Sequence, residues 1–199
     1  MKRYLIISAL ALSACASPVD PAPVAPQIVT SSYGEKIPGR YALYVDGSSL
    51  RADARMVGFL CSAFHWPIDA ENTFKQSVAG SLQNVFTDIT LISSPNMPSG
   101  YDGMVIVRGE SLEIEVNQIT QFLTNIMEAE ATIKIEATVD RRSGRIFGTS
   151  IDEDEDFKAE GVFGCQGGGR AVQGATQRAM EKAIRQLMQD LSNSGRLRS

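Results

Sequence analysis

The chain predicts an α+β fold, a two-layer sandwich in which an antiparallel sheet carries two amphipathic helices packed on one face. Three observations predict it. Leu112, Ile114 and Val116 alternate with Glu113 and Glu115, and Ile133, Ile135, Ala137 and Val139 alternate with Lys134, Glu136 and Thr138, which is the period of strands with one wet face. Phe74, Val78, Leu82, Val85 and Phe86 recur on one side of a helix. Val172, Thr176, Ala179, Ala183, Leu187 and Leu191 form a second helical stripe near the end, widened by Met180, Ile184 and Met188. Strands gathered between two helices fit a single domain of this class.

In chain order, residues 1–14 read as an export signal rather than as fold. Lys2 and Arg3 form a basic head and residues 4–12 an apolar run too short to stay in a bilayer as a spanning helix. Leu12, Ser13, Ala14 and Cys15 close it. This quartet closely resembles the lipobox of bacterial lipoprotein signal peptides. The resemblance implies that Cys15 receives a diacylglyceryl thioether, becomes the mature N-terminus and is then N-acylated. Several chains, palmitate among them, give a stable membrane anchor at about 0.8 kcal/mol per buried methylene. Ser17 stands where the retention rule of enteric lipoproteins calls for Asp, so the resemblance further implies the outer membrane, with the body on its periplasmic side. An ordinary secretory signal with an incidental Cys15 is the alternative.

The chain has 199 residues, with 19 basic and 23 acidic side chains, and loss of Lys2 and Arg3 leaves 17 against 23. A body near minus six argues against nucleic acid or anionic lipid as a partner for the body as a whole. With Cys15 assigned to lipid, Cys61 and Cys165 are the remaining thiols of an exported chain, and an oxidising compartment favours a structural disulfide between them. Closing a loop of about a hundred residues contributes on the order of 4 to 5 kcal/mol, less any strain. A redox-active pair is the other reading, but the spacing is not that of a CxxC motif.

Residues 15–39 read as the lipidated cysteine followed by a tether, since Pro18, Pro21, Pro23, Pro26 and Pro38 stand among small and polar residues with no apolar period. Extended at about 3 Å per residue, such a segment holds a body tens of ångströms from the lipid. The domain then runs over residues 40–195. A first strand is expected at about 40–46, ending at Asp46 and Gly47. The apolar run over residues 56–64 suits a short strand or a buried loop. Asp69 is a credible N-cap for a helix over about 70–86, and residues 89–92 make a short strand.

Residues 104–107 are continuously apolar and lead through a bend at Gly109 to the strand at 112–116. Residues 118–127 fit either an extension of that strand or a turn of helix, and an apolar connection exposed there is a candidate contact surface. The strand at 132–139 turns back through a hairpin loop ending at Gly144, and residues 145–151 return beside it. Helix 170–192 closes the domain, and residues 196–199 are expected to be a loose tail.

Four features invite a chemical reading. His65 is the single histidine; with no Gly-x-Ser-x-Gly elbow in the chain, a packed or hydrogen-bonded histidine is favoured over a general base. Asp152, Glu153, Asp154, Glu155 and Asp156 could suggest calcium, yet they lack EF-hand spacing, and an edge-protecting acidic stretch is the plainer reading. Gly164, Gly167, Gly168 and Gly169 precede a helix without a GKS or GxGxxG signature, so close backbone approach to Cys61 and a turn into the helix are favoured over phosphate binding. Trp66, Tyr101 and Phe122 are the likeliest aromatic lining if a small ligand or glycan binds between helices and sheet. No cofactor, metal or catalytic residue is expected.

In outline the body resembles small periplasmic lipoproteins of the YajG family, and more loosely LptE and the auxiliary lipoproteins of envelope ABC transporters. The resemblance implies a non-enzymatic accessory factor in envelope assembly or transport that acts through protein or lipid partners. It assigns no site residue.

Overall fold

The computed structural model describes residues 15–29, 31–56, 63–121, 124–161 and 164–198. The signal segment, Cys61 and Phe122 lie outside the described residues. In chain order the elements are β1 (Cys15–Ala16), β2 (Ile37–Asp46), β3 (Arg51–Met56), β4 (Phe64–Asp69), α1 (Glu71–Leu82), β5 (Phe86–Leu91), β6 (Gly103–Gln121), β7 (Thr124–Arg141), β8 (Gly144–Gly161) and α2 (Gly168–Ser192). Single turns of 3-10 helix stand at Gly164–Gly167 and Gly195–Leu197.

The fold is α+β as the patterning predicts, but the sheet is mixed rather than antiparallel. β2 runs parallel to both β5 and β6, β3 parallel to β6, and β1 parallel to β4. Only β3–β4, β6–β7 and β7–β8 are antiparallel. The reason is that alternation within a strand reports which face is wet, not which way its neighbour runs. Direction is set by the connections, and the crossover through α1 returns β5 parallel to β2.

β6 is the spine of the sheet. Its first half pairs with β2 and its second half with β3 along one edge, while β7 follows the other edge throughout. The two segments on either side of the expected bend at Gly109 are therefore one strand, with a register shift between Gly109 and Ser111. A Cβ on Gly109 would come within 2.4 Å of the fully buried Leu50, so the bare glycine is what lets that side chain lie against the ladder. Residues 118–121 and 124–127 resolve in favour of strand, with Gln118 opposite Met127 and Ile119 opposite Ile126. β7 and β8, 18 residues each, extend for roughly 60 Å.

One face of this sheet is the core. Val105, Val107, Leu112 and Val116 of β6 and Met127, Ala129, Ala131, Ile133, Ile135, Ala137 and Val139 of β7 are buried. α2 packs on β7 and β8, while α1 packs on β2 and against α2. Ala171, Ala175, Ala179 and Ala183 are fully buried on α2, where small side chains bring the helix close to the strands. α1 ends earlier than its periodicity suggests. Val85 donates to Leu82 in a closing turn, and Phe86 begins β5 with its ring 4.8 Å from that of Tyr41. Asp69 acts one residue early, its carboxylate accepting from the Glu71 amide at 3.0 Å, while Ala70 holds the N-cap position.

The proline-rich segment and the tail up to residue 198 are more firmly held than their composition suggests. The proline-rich stretch is extended, yet it lies along the helices as a strap rather than standing free as a spacer. Val19 and Val24 are buried, the Val24 amide donates to Ser77 Oγ and the Gln27 amide to Ser81 Oγ, each at 3.0 Å. Thr73 Oγ1 donates to Pro21 O, and Gln173 Nε2 to Asp20 O. The expected loose tail is likewise seated. Leu197 is fully buried, its carbonyl accepts from Arg141, and the Arg198 guanidinium lies over the Tyr33 ring at 4.6 Å. In both segments a few apolar side chains in a polar stretch found a place in the core, which composition averages hide.

Candidate functional site

The face of the sheet opposite the helices is open and mostly acidic. On β6, Glu113 and Glu115 point the same way as Glu128, Glu130 and Glu136 of β7 and Asp152, Asp154 and Asp156 of β8, because each strand alternates about the same buried row. Register stacks them into rungs. Glu115 stands opposite Glu130, and Glu130 opposite Asp156, so three carboxylates cross three strands side by side. Like charges directly opposite on a sheet are destabilising.

The rung beyond that of Glu130, at Glu128, and the one two steps back, at Lys134, are balanced. Lys134 Nζ meets Asp152 Oδ2 at 2.9 Å, and Lys158 Nζ meets Glu128 Oε1 at 2.9 Å. In each pair the hydrogen bond to the carboxylate holds the lysine above its ordinary pKa. Among the described residues the side chains of Glu113, Glu115, Glu130, Asp154 and Asp156 make no ion pair. The open face thus keeps two adjacent unneutralised rungs, Glu113 with Asp154 and Glu115 with Glu130 and Asp156, between two neutral ones.

The acidic run is divided by the strand period. Glu153 and Glu155 turn toward α2, where Lys182 Nζ reaches them at 3.0 and 3.2 Å and is held above its ordinary pKa chiefly by its bond to Glu153. Asp152, Asp154 and Asp156 go to the open face. Among the described residues no group of three or more His, Cys, Asp or Glu side chains could hold a metal ion.

His65 lies on the same face in β4. Its Nδ1 is 2.8 Å from Asp53 Oδ1, and Arg55 donates to the other oxygen of that carboxylate at 2.7 Å. The bond from His65, then that from Arg55, lowers the Asp53 pKa. The histidine is hydrogen-bonded, as favoured.

The aromatic residues suggested as a ligand lining are not brought together. Trp66 is 3% exposed and sealed under the start of α2, where a Cβ on Gly168 would lie 2.1 Å from its ring. Tyr101 is at the other end of the sheet, just before β6, with Arg40 stacked at 4.7 Å over its ring; it borders a shallow depression of about 530 Å³ with Asp102, Arg141 and Arg142. Phe122 lies outside the described residues. Of the glycine-rich loop, Gly168 is the seat of Trp66; the close approach to Cys61 expected of the loop lies outside the described residues.

Cys15 enters the fold at once. Cys15 and Ala16 pair in parallel with Phe64 and His65 of β4. Cys165 is 8% exposed and disulfide-bonded. Cys61 lies outside the described residues.

The acidic rungs and the docked strap are what sequence reasoning missed. Alternation placed Glu113 and Glu115 on a wet face, but only the register shows which carboxylates stand together. The one sequence signal for the strap was Val19 and Val24 among the prolines.

No protein-family model and no curated protein matches the chain. Solved structures do. The chain is similar to protein XCC0632 from Xanthomonas campestris, described under the family model DUF330, with a TM-score of 0.52 at 14% identity over 86% of this chain and 92% of that one. Weaker likenesses include a minor lipoprotein from Acinetobacter baumannii (TM-score 0.41, 8% identity, 83% of this chain and 93% of that chain). Another is rare lipoprotein B from Shewanella oneidensis (TM-score 0.40, 10% identity, 74% and 90%). What the chain shares with the Xanthomonas protein is its fold.

Proposed function

We propose that this chain is a non-enzymatic bacterial lipoprotein, anchored through Cys15 to the periplasmic face of the outer membrane. It serves envelope assembly or transport by holding a basic protein surface against the open acidic face of its sheet. The observation that carries the reading is the lipobox of residues 12–15 leading directly into β1, so that the cysteine to be lipidated is also the first residue paired with the sheet. Anchoring confines the body to a layer next to its partners and raises their effective concentration. The unneutralised row of Glu115, Glu130 and Asp156 supplies charge complementarity.

Two measurements test it. Palmitate labelling of cells making the native chain and Cys15→Ser should label only the former, and the variant should move to the soluble periplasm. Label retained on Cys15→Ser would remove the anchor from the reading. Crosslinking in cells followed by purification should recover a protein partner that is lost when Glu115→Lys and Glu130→Lys are combined. An unchanged crosslink pattern would remove the acidic face. The disulfide of Cys165 is assigned to Cys61, and a non-reducing peptide map should recover those two peptides joined.

A further inference from the structure

Resting on the lipid-anchor reading of Cys15, we propose that the body meets the bilayer by one fixed end. That end is the one where Cys15 enters the sheet, and the far part of the β6–β7 hairpin settles into the headgroup region. The first support is the lack of slack. Cys15 pairs with Phe64, the Ser17 amide donates to His65 O at 3.2 Å, the Val19 amide donates to Pro67 O at 2.9 Å, and Val19 is buried. An anchor on Cys15 is therefore an anchor on the beginning of β4. A free linker would let the body turn any side to the membrane, whereas a chain bonded from its first residue does not.

The second support is height. Phe64 lies one step beyond His65, His65 stands opposite Arg55, and Arg55 opposite Glu115, so Cys15 is level with about Val116 of β6. β6 continues from there to Gln121, five residues that reach about 16 Å further at strand rise. A bilayer surface met at Cys15 is met by that hairpin as well, and a tilted hairpin reaches the roughly 5–10 Å depth typical of interfacial segments.

The third support is charge. No charged residue occurs over residues 56–64, 116–127 or 161–169. The described ends of these stretches converge at this end of the sheet, with Met56 opposite Val116, Gly161 opposite Asn125, and Phe64 beside Cys15. Ile119 faces Ile126 across the hairpin, on the side of the sheet that carries Glu113, Glu115, Glu128 and Glu130 just behind. On β6 charge stops at Glu115, level with the entry of Cys15, and on β7 one step further at Glu128, which Lys158 of β8 neutralises; Glu160 of β8, opposite Ile126, is the one carboxylate of the described strands beyond that height. At the opposite end Asp140, Arg141, Arg142 and Arg145 crowd the β7–β8 turn. Moving charge out of water is costly, so the less charged end is the one that tolerates the interface, with Glu160 at its margin on β8.

The experiment uses the full chain, exported, lipidated and reconstituted in vesicles of phosphatidylethanolamine and phosphatidylglycerol. Ile119→Cys, Ile126→Cys and Ser143→Cys are each labelled without reduction by an environment-sensitive fluorophore, and quenching by brominated lipid is read. Emission from labels at 119 and 126 should be roughly halved, with that at 143 unaffected. Vesicle-bound protein whose labels at 119 and 126 are no more quenched than the label at 143 would overturn the proposal while leaving the anchor intact. Protein that fails to float with vesicles and carries no lipid mass on Cys15 would overturn the anchor reading and this proposal with it. Using two labels on facing positions ensures that one disturbed site does not decide the result.

Discussion

At Gly168 the missing side chain is itself the contact. The Trp66 ring occupies the space a Cβ would need, so Gly168→Ala forces Trp66 or the first turn of α2 to move. Overpacking of this kind costs about 1–3 kcal/mol. Thermal unfolding followed by the emission of Trp66, the single tryptophan, should show a midpoint lowered by several degrees. Asp53 offers a pH-dependent test. Its pKa is lowered below the ordinary 3.8 by His65 and Arg55, so its contribution to stability is present above that value and is lost as pH falls through the lower folded-state value. The carboxylate is 39% exposed and screened, so Asp53→Asn should cost only a few tenths of a kcal/mol near pH 7. In urea titrations that difference should shrink toward zero near pH 2. The identities of these residues were legible in the sequence. Their partners were not, because Asp53 reaches His65 only through the antiparallel pairing of β3 with β4.

At the scale of elements, the long edge of β8 is the hazard and α2 the remedy. Outside β7, the carbonyls of an edge strand are free to recruit another strand. Here Arg170 donates to Glu160 O, Arg178 to Asp156 O at 3.4 Å, and Lys182 to Asp154 O at 3.4 Å. The same helix face stacks Arg178 over Phe157 at 4.7 Å. Replacing Arg178 and Lys182 together with Ala should leave helix content unchanged by circular dichroism but increase self-association in sedimentation velocity. A variant that stays monodisperse would show that the edge is protected by something else. The acidic run does lie on the edge strand β8, where the cations of α2 cover the carbonyls. Its counter-charges on α2 could not be assigned in advance, because the distance between residues 154 and 182 along the chain says nothing about their distance in space.

At the scale of the molecule, the strap is tied to α1 through two buried hydroxyls. Ser77 and Ser81 are 2% and 0% exposed, and each accepts a strap amide. Ser77→Ala with Ser81→Ala leaves those amides without partners, at about 1–3 kcal/mol each. Hydrogen exchange should quicken across residues 17–29 while the β6–β7 ladder stays protected. Unchanged protection of the strap would mean that Val19 and Val24 hold it without help. The strap also fixes where a Cys15 anchor sits on the body, which a free tether of the same composition would leave open.

By itself the sequence determined the lipobox-like quartet of residues 12–15, the α+β class, the wet and dry faces of the longest strands and the stripe of α2, because each of these is a local period or a contiguous motif. The tertiary structure alone decided the parallel neighbours of β6, the burial of Trp66 beneath Gly168, the row of Glu115, Glu130 and Asp156, and the docking of the proline-rich segment. Each of those depends on contacts between residues far apart in the chain, and strand direction and register, which bring such residues together, leave no periodic trace in the order of amino acids.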